Sequence, residues 1–249
     1  FSVFSVASQT DCFEPQPQPP QHKTIQQIID NMPRMNRLGS FPNDRALCDA
    51  IGTDARDILR WVIFTCRSNF LLLPQELEFP QFRVGNNHGR CYQFMALTAS
   101  PEQEICFQQM KAVYGSRFLW HGSGLDRWHS IIRNGLKNMT GTQYMANGDA
   151  HGAGIYFAHD SCVSLDYARV GKNLYPRSKL SQDFLVIALC EVIKLPLNVE
   201  TEFEVEVNLK NDRIEKKKLV GGLYDHGWCM TLTMNEASIV RFVFVNFGA

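Results

Sequence analysis

Phe118-Leu119-Trp120-His121-Gly122-Ser123, read together with Gly154-Ile155-Tyr156-Phe157-Ala158, decides how the rest of this chain is read. Each is a short apolar run of the kind that forms a buried strand. Each carries glycine or polar residues at one end, where a small molecule can approach backbone. Gly122 lets main chain come close to a ligand without a Cβ in the way, and Ser123 adds a hydroxyl that both donates and accepts. Tyr156 and Tyr167 (167 − 156 = 11) offer two aromatic faces, the second on an expected short helix after the second strand. A flat heteroaromatic ring fits between two such faces by stacking.

The chain has 249 residues, enough for one large domain or two small ones. At 45% hydrophobic and 20% charged it has the composition of an ordinary soluble globular protein. Lys plus Arg and Asp plus Glu both number 25, so the net charge is zero. That balance argues against nucleic-acid binding through broad phosphate neutralisation, and no direct DNA binding is expected. It leaves room for one local cationic or polar pocket. The eight cysteines contain no C-x-x-C, and no histidine pairs with them at zinc-finger intervals, so no metal site is expected. Cys66, Cys162 and Cys190 lie inside apolar patterns, where a buried free thiol is the common reading. A reducing compartment, cytosol or nucleus, follows as an expectation. No apolar run reaches the length of about 18 residues that a membrane span needs. Because it starts at Phe1 rather than Met, the chain reads as a piece of a longer protein.

Residues 1–23 are Pro/Gln-rich and read as a linker or tail. Residues 24–115 are mainly helical in pattern. Thr24 caps a first helix, Asp54–Cys66 reads as a mostly buried one, and Pro101 with Glu102 and Glu104 opens a third that runs to Gly115. Between them lie an irregular stretch, a turn at Gly85–Gly89 and a strand at Cys91–Leu97. After Ser116, an amphipathic helix at Leu125–Asn134 is stopped by Gly135. Residues 136–152 form a long glycine-containing loop, and loops of that kind are usually functional or disordered. A helix is expected near Ser161–Ala168. Further strands are expected at Phe184–Ile193, Thr201–Leu209, Trp228–Met234 and Ile239–Phe247. Lys210–Lys218 is expected to be a charged hairpin turn or loop, its three lysines solvated. Strands without regular βα alternation predict an α+β domain on antiparallel sheets. It is not a Rossmann fold, since no G-x-G-x-x-G follows a strand and opens a helix.

The ordered set His121-Gly122-Ser123, then Gly152-Ala153-Gly154-Ile155-Tyr156-Phe157-Ala158, then Ser164 and Tyr167, resembles the catalytic domain of the PARP-like, diphtheria-toxin-type ADP-ribosyltransferases. Ile58–Ile63, Tyr114–Ser123 and Trp128–Leu136 look like the branch of small mono-ADP-ribosyltransferases within it. The likeness covers about residues 55–247. It implies a split antiparallel β-core at 116–249, with the mainly helical segment 24–115 packed on it. It also implies NAD as co-substrate, no metal, and protein side chains as acceptors.

Site roles follow from the same resemblance. The Gly122 backbone would pair with the nicotinamide carboxamide, supported by the Ser164 hydroxyl. Tyr156 and Tyr167 would sandwich the ring. His121 would hydrogen-bond an adenosine ribose hydroxyl, and Ser123 would hold the same half of the dinucleotide. Asn134-Gly135-Leu136 and the loop after it correspond to the family's donor loop. Chain-forming members carry a glutamate at the start of the last strand. Laying Thr233–Val245 on that strand puts Phe242 in its place. The catalytic positions would then be His121, Tyr156 and Phe242. Phe cannot hydrogen-bond a ribose hydroxyl, so the resemblance implies transfer of one ADP-ribose unit rather than polymer. A second reading is a binding module for NAD or ADP-ribose that is catalytically weak or inactive.

Overall fold

The computed structural model describes residues 7, 22–65, 69–82, 90–142, 151–178, 180, 183–209 and 213–247. Most of the Pro/Gln-rich tail, the turn at Gly85–Gly89 and Cys66 lie outside the described residues. Three α-helices come first: α1 (His22–Asn31), α2 (Asp44–Ile51) and α3 (Thr53–Thr65). Then follow β1 (Asn69–Leu72), β2 (Cys91–Thr98), α4 (Pro101–Tyr114), β3 (Ser116–Gly122) and α5 (Trp128–Asn134). The last part holds β4 (Ile155–Ala158), α6 (Ser161–Tyr167), β5 (Gly171–Lys172), β6 (Asp183–Ile193), β7 (Glu200–Leu209), β8 (Arg213–Asp225), β9 (Cys229–Leu232) and β10 (Ser238–Phe247).

Among the described residues the strands run in the order β1-β2-β10-β6-β3-β4-β9-β8-β7, each neighbour antiparallel, with β5 on β6. This is the expected α+β architecture on an antiparallel sheet. The expected division at residue 115 falls inside that sheet, because β2 pairs with β10 and Cys106, Phe107 and Met110 of α4 sit in the main core. Only α1–α3 form a separate helical layer, around Ile25, Ile29, Met32, Ala55, Ile58 and Leu59. α3 is less buried than its apolar content predicts, since Ile63 and Phe64 are exposed.

β6 explains its own sequence. Phe184 to Ile193 is covered on both faces, so it reads as a continuous apolar run rather than an alternation. One charge interrupts it. Glu191 is buried, and three groups meet it: Lys111 Nζ at 2.5 Å, the Ser116 hydroxyl at 2.5 Å and Arg241 Nε at 2.8 Å. Arg241 reaches it because β10 bulges between Val240 and Phe242. Its two terminal nitrogens also grip Glu104, each at 3.0 Å.

The expected loop at Lys210–Lys218 is a strand over its described part. Lys216 and Lys218 sit on β8 opposite Glu206 and Glu204. Lys218 pairs with Glu202 at 2.7 Å, and Lys217 with Glu236 at 3.0 Å. Lys216 and Lys218 are thus ladder partners of acidic positions on β7, while Lys217 lies opposite Val205.

Candidate active site

The sheet parts between β3 and β4. These strands share one register position, Trp120 with Ala158. Beyond it β3 continues along β6 and β4 along β9, so His121-Gly122 and Tyr156-Phe157 line a seam. The His121 ring spans that seam, its Nδ1 lying 2.9 Å from the Tyr156 carbonyl oxygen. A carbonyl only accepts, so Nδ1 carries the proton. Burial pushes the imidazole below the ordinary histidine value, and the bond to Tyr156 offsets this only in part. His121 is therefore neutral at neutral pH, with Nε2 as an acceptor. Its ring leans on Trp128 and Phe157, centroids 6.3 and 5.8 Å away.

Gly122 meets α6. A Cβ built there would lie 1.8 Å from the Ser164 carbonyl oxygen, a distance no side chain tolerates. The glycine is thus required first by helix-on-strand packing, and through it Ser164 is held against the seam. Ser164 is 3% exposed. α6 is started by Asp160, whose carboxylate accepts from Cys162 N–H at 2.9 Å. It ends at Tyr167, which is partly open to solvent. Cys162, expected to be buried, is exposed at the first turn.

Tyr156 is pinned at its hydroxyl, which donates to Gly152 O at 2.7 Å and accepts from His151 N–H at 3.1 Å. Ser123 is fixed through its carbonyl, which accepts from Trp128 Nε1 at 3.1 Å. The expected donor-loop residues are held by packing. Asn134 donates to Ser130 Oγ at 3.2 Å, and Gly135 caps α5 with φ +78° beside the Gln103 amide. Leu136 is corrected: its side chain is buried in the main core, which leaves only its backbone for a ligand. The loop beyond is tied at its base, Asn138 N–H to Asn235 Oδ1 at 2.7 Å and Gly154 N–H to Thr140 Oγ1 at 3.0 Å. Residues 143–150 lie outside the described residues.

Phe242 is not brought to this group. It pairs with Leu189 of β6 and Met95 of β2, so β6 and β3 both stand between it and Tyr156. Its ring packs edge-on against Phe79 at 5.1 Å and near Phe118 at 6.5 Å. The expectation that it lines the pocket is corrected: the bulge at Arg241 and the apolar cluster with Phe79 claim it. Residues not singled out in the sequence lie beside Tyr156 instead. Thr231, 1% exposed, is the register partner of Tyr156 on β9. Its hydroxyl lies 3.1 Å from His226 Nε2, and His226 stacks on His151 with centroids 4.5 Å apart. Only the pairing of β9 with β4 reveals them.

Among the described residues no group of three or more His, Cys, Asp or Glu is placed to hold a metal ion, and no helix is long and apolar enough to cross a membrane.

The poly(ADP-ribose) polymerase catalytic domain family matches residues 88–216, a span that holds His121, Tyr156 and Ser164 but not Phe242. The chain is 30% identical over 167 residues to protein mono-ADP-ribosyltransferase PARP8 of Mus musculus, covering 57% of this chain and 19% of that protein. It is 34% identical over 118 residues to the Homo sapiens protein of the same name, covering 47% of this chain and 13% of that protein. The chain therefore spans less than a fifth of the length of these curated relatives. With the seam, the ordered motif and the matched span in agreement, this chain belongs to the poly(ADP-ribose) polymerase catalytic domain family.

Proposed function

We propose that the chain binds NAD at the β3–β4 seam and transfers one ADP-ribose unit from it to a protein side chain, releasing nicotinamide. One observation carries this reading. His121, Gly122, Tyr156 and Ser164 come from three separate elements and converge where the two halves of the sheet part. The names of the two relatives, both mono-ADP-ribosyltransferases, support transfer of single units.

In this proposal the Gly122 backbone and the Ser164 hydroxyl hold the nicotinamide amide. Tyr156 and Tyr167 flank its ring, and neutral His121 accepts a ribose hydroxyl through Nε2. Ser123 and the backbone at Asn134–Leu136 serve the adenosine half. Breaking the nicotinamide–ribose bond builds positive charge on the sugar while the leaving group departs neutral. Fixing both ends of the substrate lowers that barrier by positioning, an effect on the order of several kcal/mol.

The test is incubation with labelled NAD and a lysate, followed by mass resolution of the modified proteins. Single increments are expected, lost in His121→Ala and Tyr156→Ala and retained in the presence of a chelator. Ladders of increments would refute single transfer. NAD binding without any increment would favour the binding-module reading.

A further inference from the structure

A cavity of about 560 Å³ is lined by Asn31, Pro33, Arg34, Arg37 and Arg177, none of which belongs to the seam. That volume lies within the range of small-molecule sites. Its walls come from two distant stretches, the turn that follows α1 and the segment that follows β5. Side chains fasten one to the other. The Tyr175 hydroxyl donates to the Pro33 carbonyl, and Arg177 Nη1 donates to the carbonyls of Asp30 and, at 3.0 Å, Met32. Tyr175 is itself buried among Ile25, Ile29 and Met32. The site is thus anchored in the helical layer.

The charge on this cavity is one-sided. Arg177 sits at the C-terminal end of α1, where a cation is favoured. A guanidinium has five N–H donors, and the contacts to Asp30 and Met32 use only Nη1. Arg34 and Arg37 are exposed and form no ion pair among the described residues. Among the described residues no carboxylate lines the cavity, and the Asp30 side chain at the end of α1 accepts from Gln26 at 2.8 Å. Three like charges around one concavity repel each other, and an anion would relieve that repulsion. Guanidinium forks match phosphate oxygens bidentately. A single phosphate brings a charge of about −2, short of three arginines, whereas a diphosphate comes closer to balance.

We propose that this cavity is a binding site for a small diphosphate anion, held by Arg34, Arg37 and Arg177. This reading does not depend on the role assigned to the seam.

Inorganic pyrophosphate, inorganic phosphate and ADP would each be titrated calorimetrically into the 249-residue chain, with a short oligonucleotide as a polyanion of another class. The variant combining Arg34→Gln and Arg37→Gln spares the hydrogen bonds that fasten the turn, and thermal unfolding checks its fold. Arg177→Lys, which keeps the charge and loses the fork, is the second variant. Pyrophosphate is expected to bind more tightly than phosphate. Binding should weaken about ten-fold or more in the double variant and fall in Arg177→Lys, with NAD affinity unchanged in both. ADP binding more tightly than pyrophosphate would identify a nucleotide as the source, and equal affinities would identify the free anion. The proposal is overturned by equal pyrophosphate affinity in the folded double variant, or by no pyrophosphate binding at all. Loss of pyrophosphate binding in His121→Ala alone, or preference for the oligonucleotide, would also overturn it.

Discussion

β6 shares nine register positions with β10 and seven with β3, whereas β4 shares four with β9 and one with β3. The first half of the sheet is a frame: long ladders, a bulge that turns Arg241 inward, and a buried carboxylate met by three groups. Beside the seam, the four-residue strands β4 and β9 leave side chains to do what ladders do elsewhere, before the long β7–β8 ladder resumes. The His121 ring bonds the Tyr156 carbonyl across the seam, and His151 and Gly152 pin the Tyr156 hydroxyl. Stability resides in the long ladders, and the candidate chemistry sits where pairing stops. A ligand can reach backbone only at such a place, because inside a ladder every N–H and C=O is already taken.

The harshest way to break this division is to add volume at the seam. Gly122→Ala places a methyl group where the Ser164 carbonyl stands, so α6 must move or the chain must not fold. A loss of about 3 kcal/mol or more, read by denaturant unfolding, should accompany loss of NAD binding. Gly122→Trp should fail altogether. It is therefore a poor probe of the pocket, since packing is hit before any ligand.

Next comes the frame. Arg241→Ala leaves Glu104 and Glu191 without their shared cation and should cost about 3 kcal/mol. NAD affinity in the folded fraction should stay unchanged, and a parallel fall in affinity would erase the distinction between the halves. The same network sets an acid response. Burial tends to raise the Glu191 and Glu104 carboxyls, but bonds from Lys111, Ser116 and Arg241 to Glu191, and from Arg241 and Gln108 to Glu104, hold both below the usual range. Folded values below unfolded ones mean stability present at neutral pH and lost as pH falls below about 4.3. The slope of unfolding free energy against pH in that window should shrink in Arg241→Ala.

Smaller effects sharpen the picture. Phe242→Ala should cost about 2 kcal/mol, less than a fully buried ring, and should leave NAD affinity unchanged. A marked loss would bring Phe242 back to the pocket. His121, its value lowered by burial, should take up no proton from about pH 8 to pH 7. NAD affinity should be flat there and decline only in acid.

The apolar runs at 155–158 and 184–193 were legible because burial on both faces leaves no alternation to misread, whereas 118–122 was legible through its motif although Phe118 is exposed. The motif residues His121, Gly122, Tyr156, Ser164 and Tyr167 were legible through their order. β8 was not, since Lys216-Lys217-Lys218 reads as solvated until Glu202, Glu204 and Glu206 are known to lie across from it. Phe242 was misplaced because its strand pairs with β2 and β6, with two strands between it and β4, and nothing local in Ile239-Val240-Arg241 announces that pairing. Thr231, His226 and His151 were missed because their grouping depends on the pairing of β9 with β4 and on the turn between β8 and β9 bringing His226 to Thr231.

The central claim is that the seam binds NAD through the Tyr156 ring and the His121 acceptor. Calorimetric titration of NAD into the wild-type chain, Tyr156→Phe, Tyr156→Ala and His121→Ala, each checked for folding, tests it most directly. Wild type should bind, Tyr156→Phe should retain most of that affinity, and Tyr156→Ala and His121→Ala should each lose about ten-fold or more. Unchanged NAD affinity in folded Tyr156→Ala and His121→Ala would contradict the account.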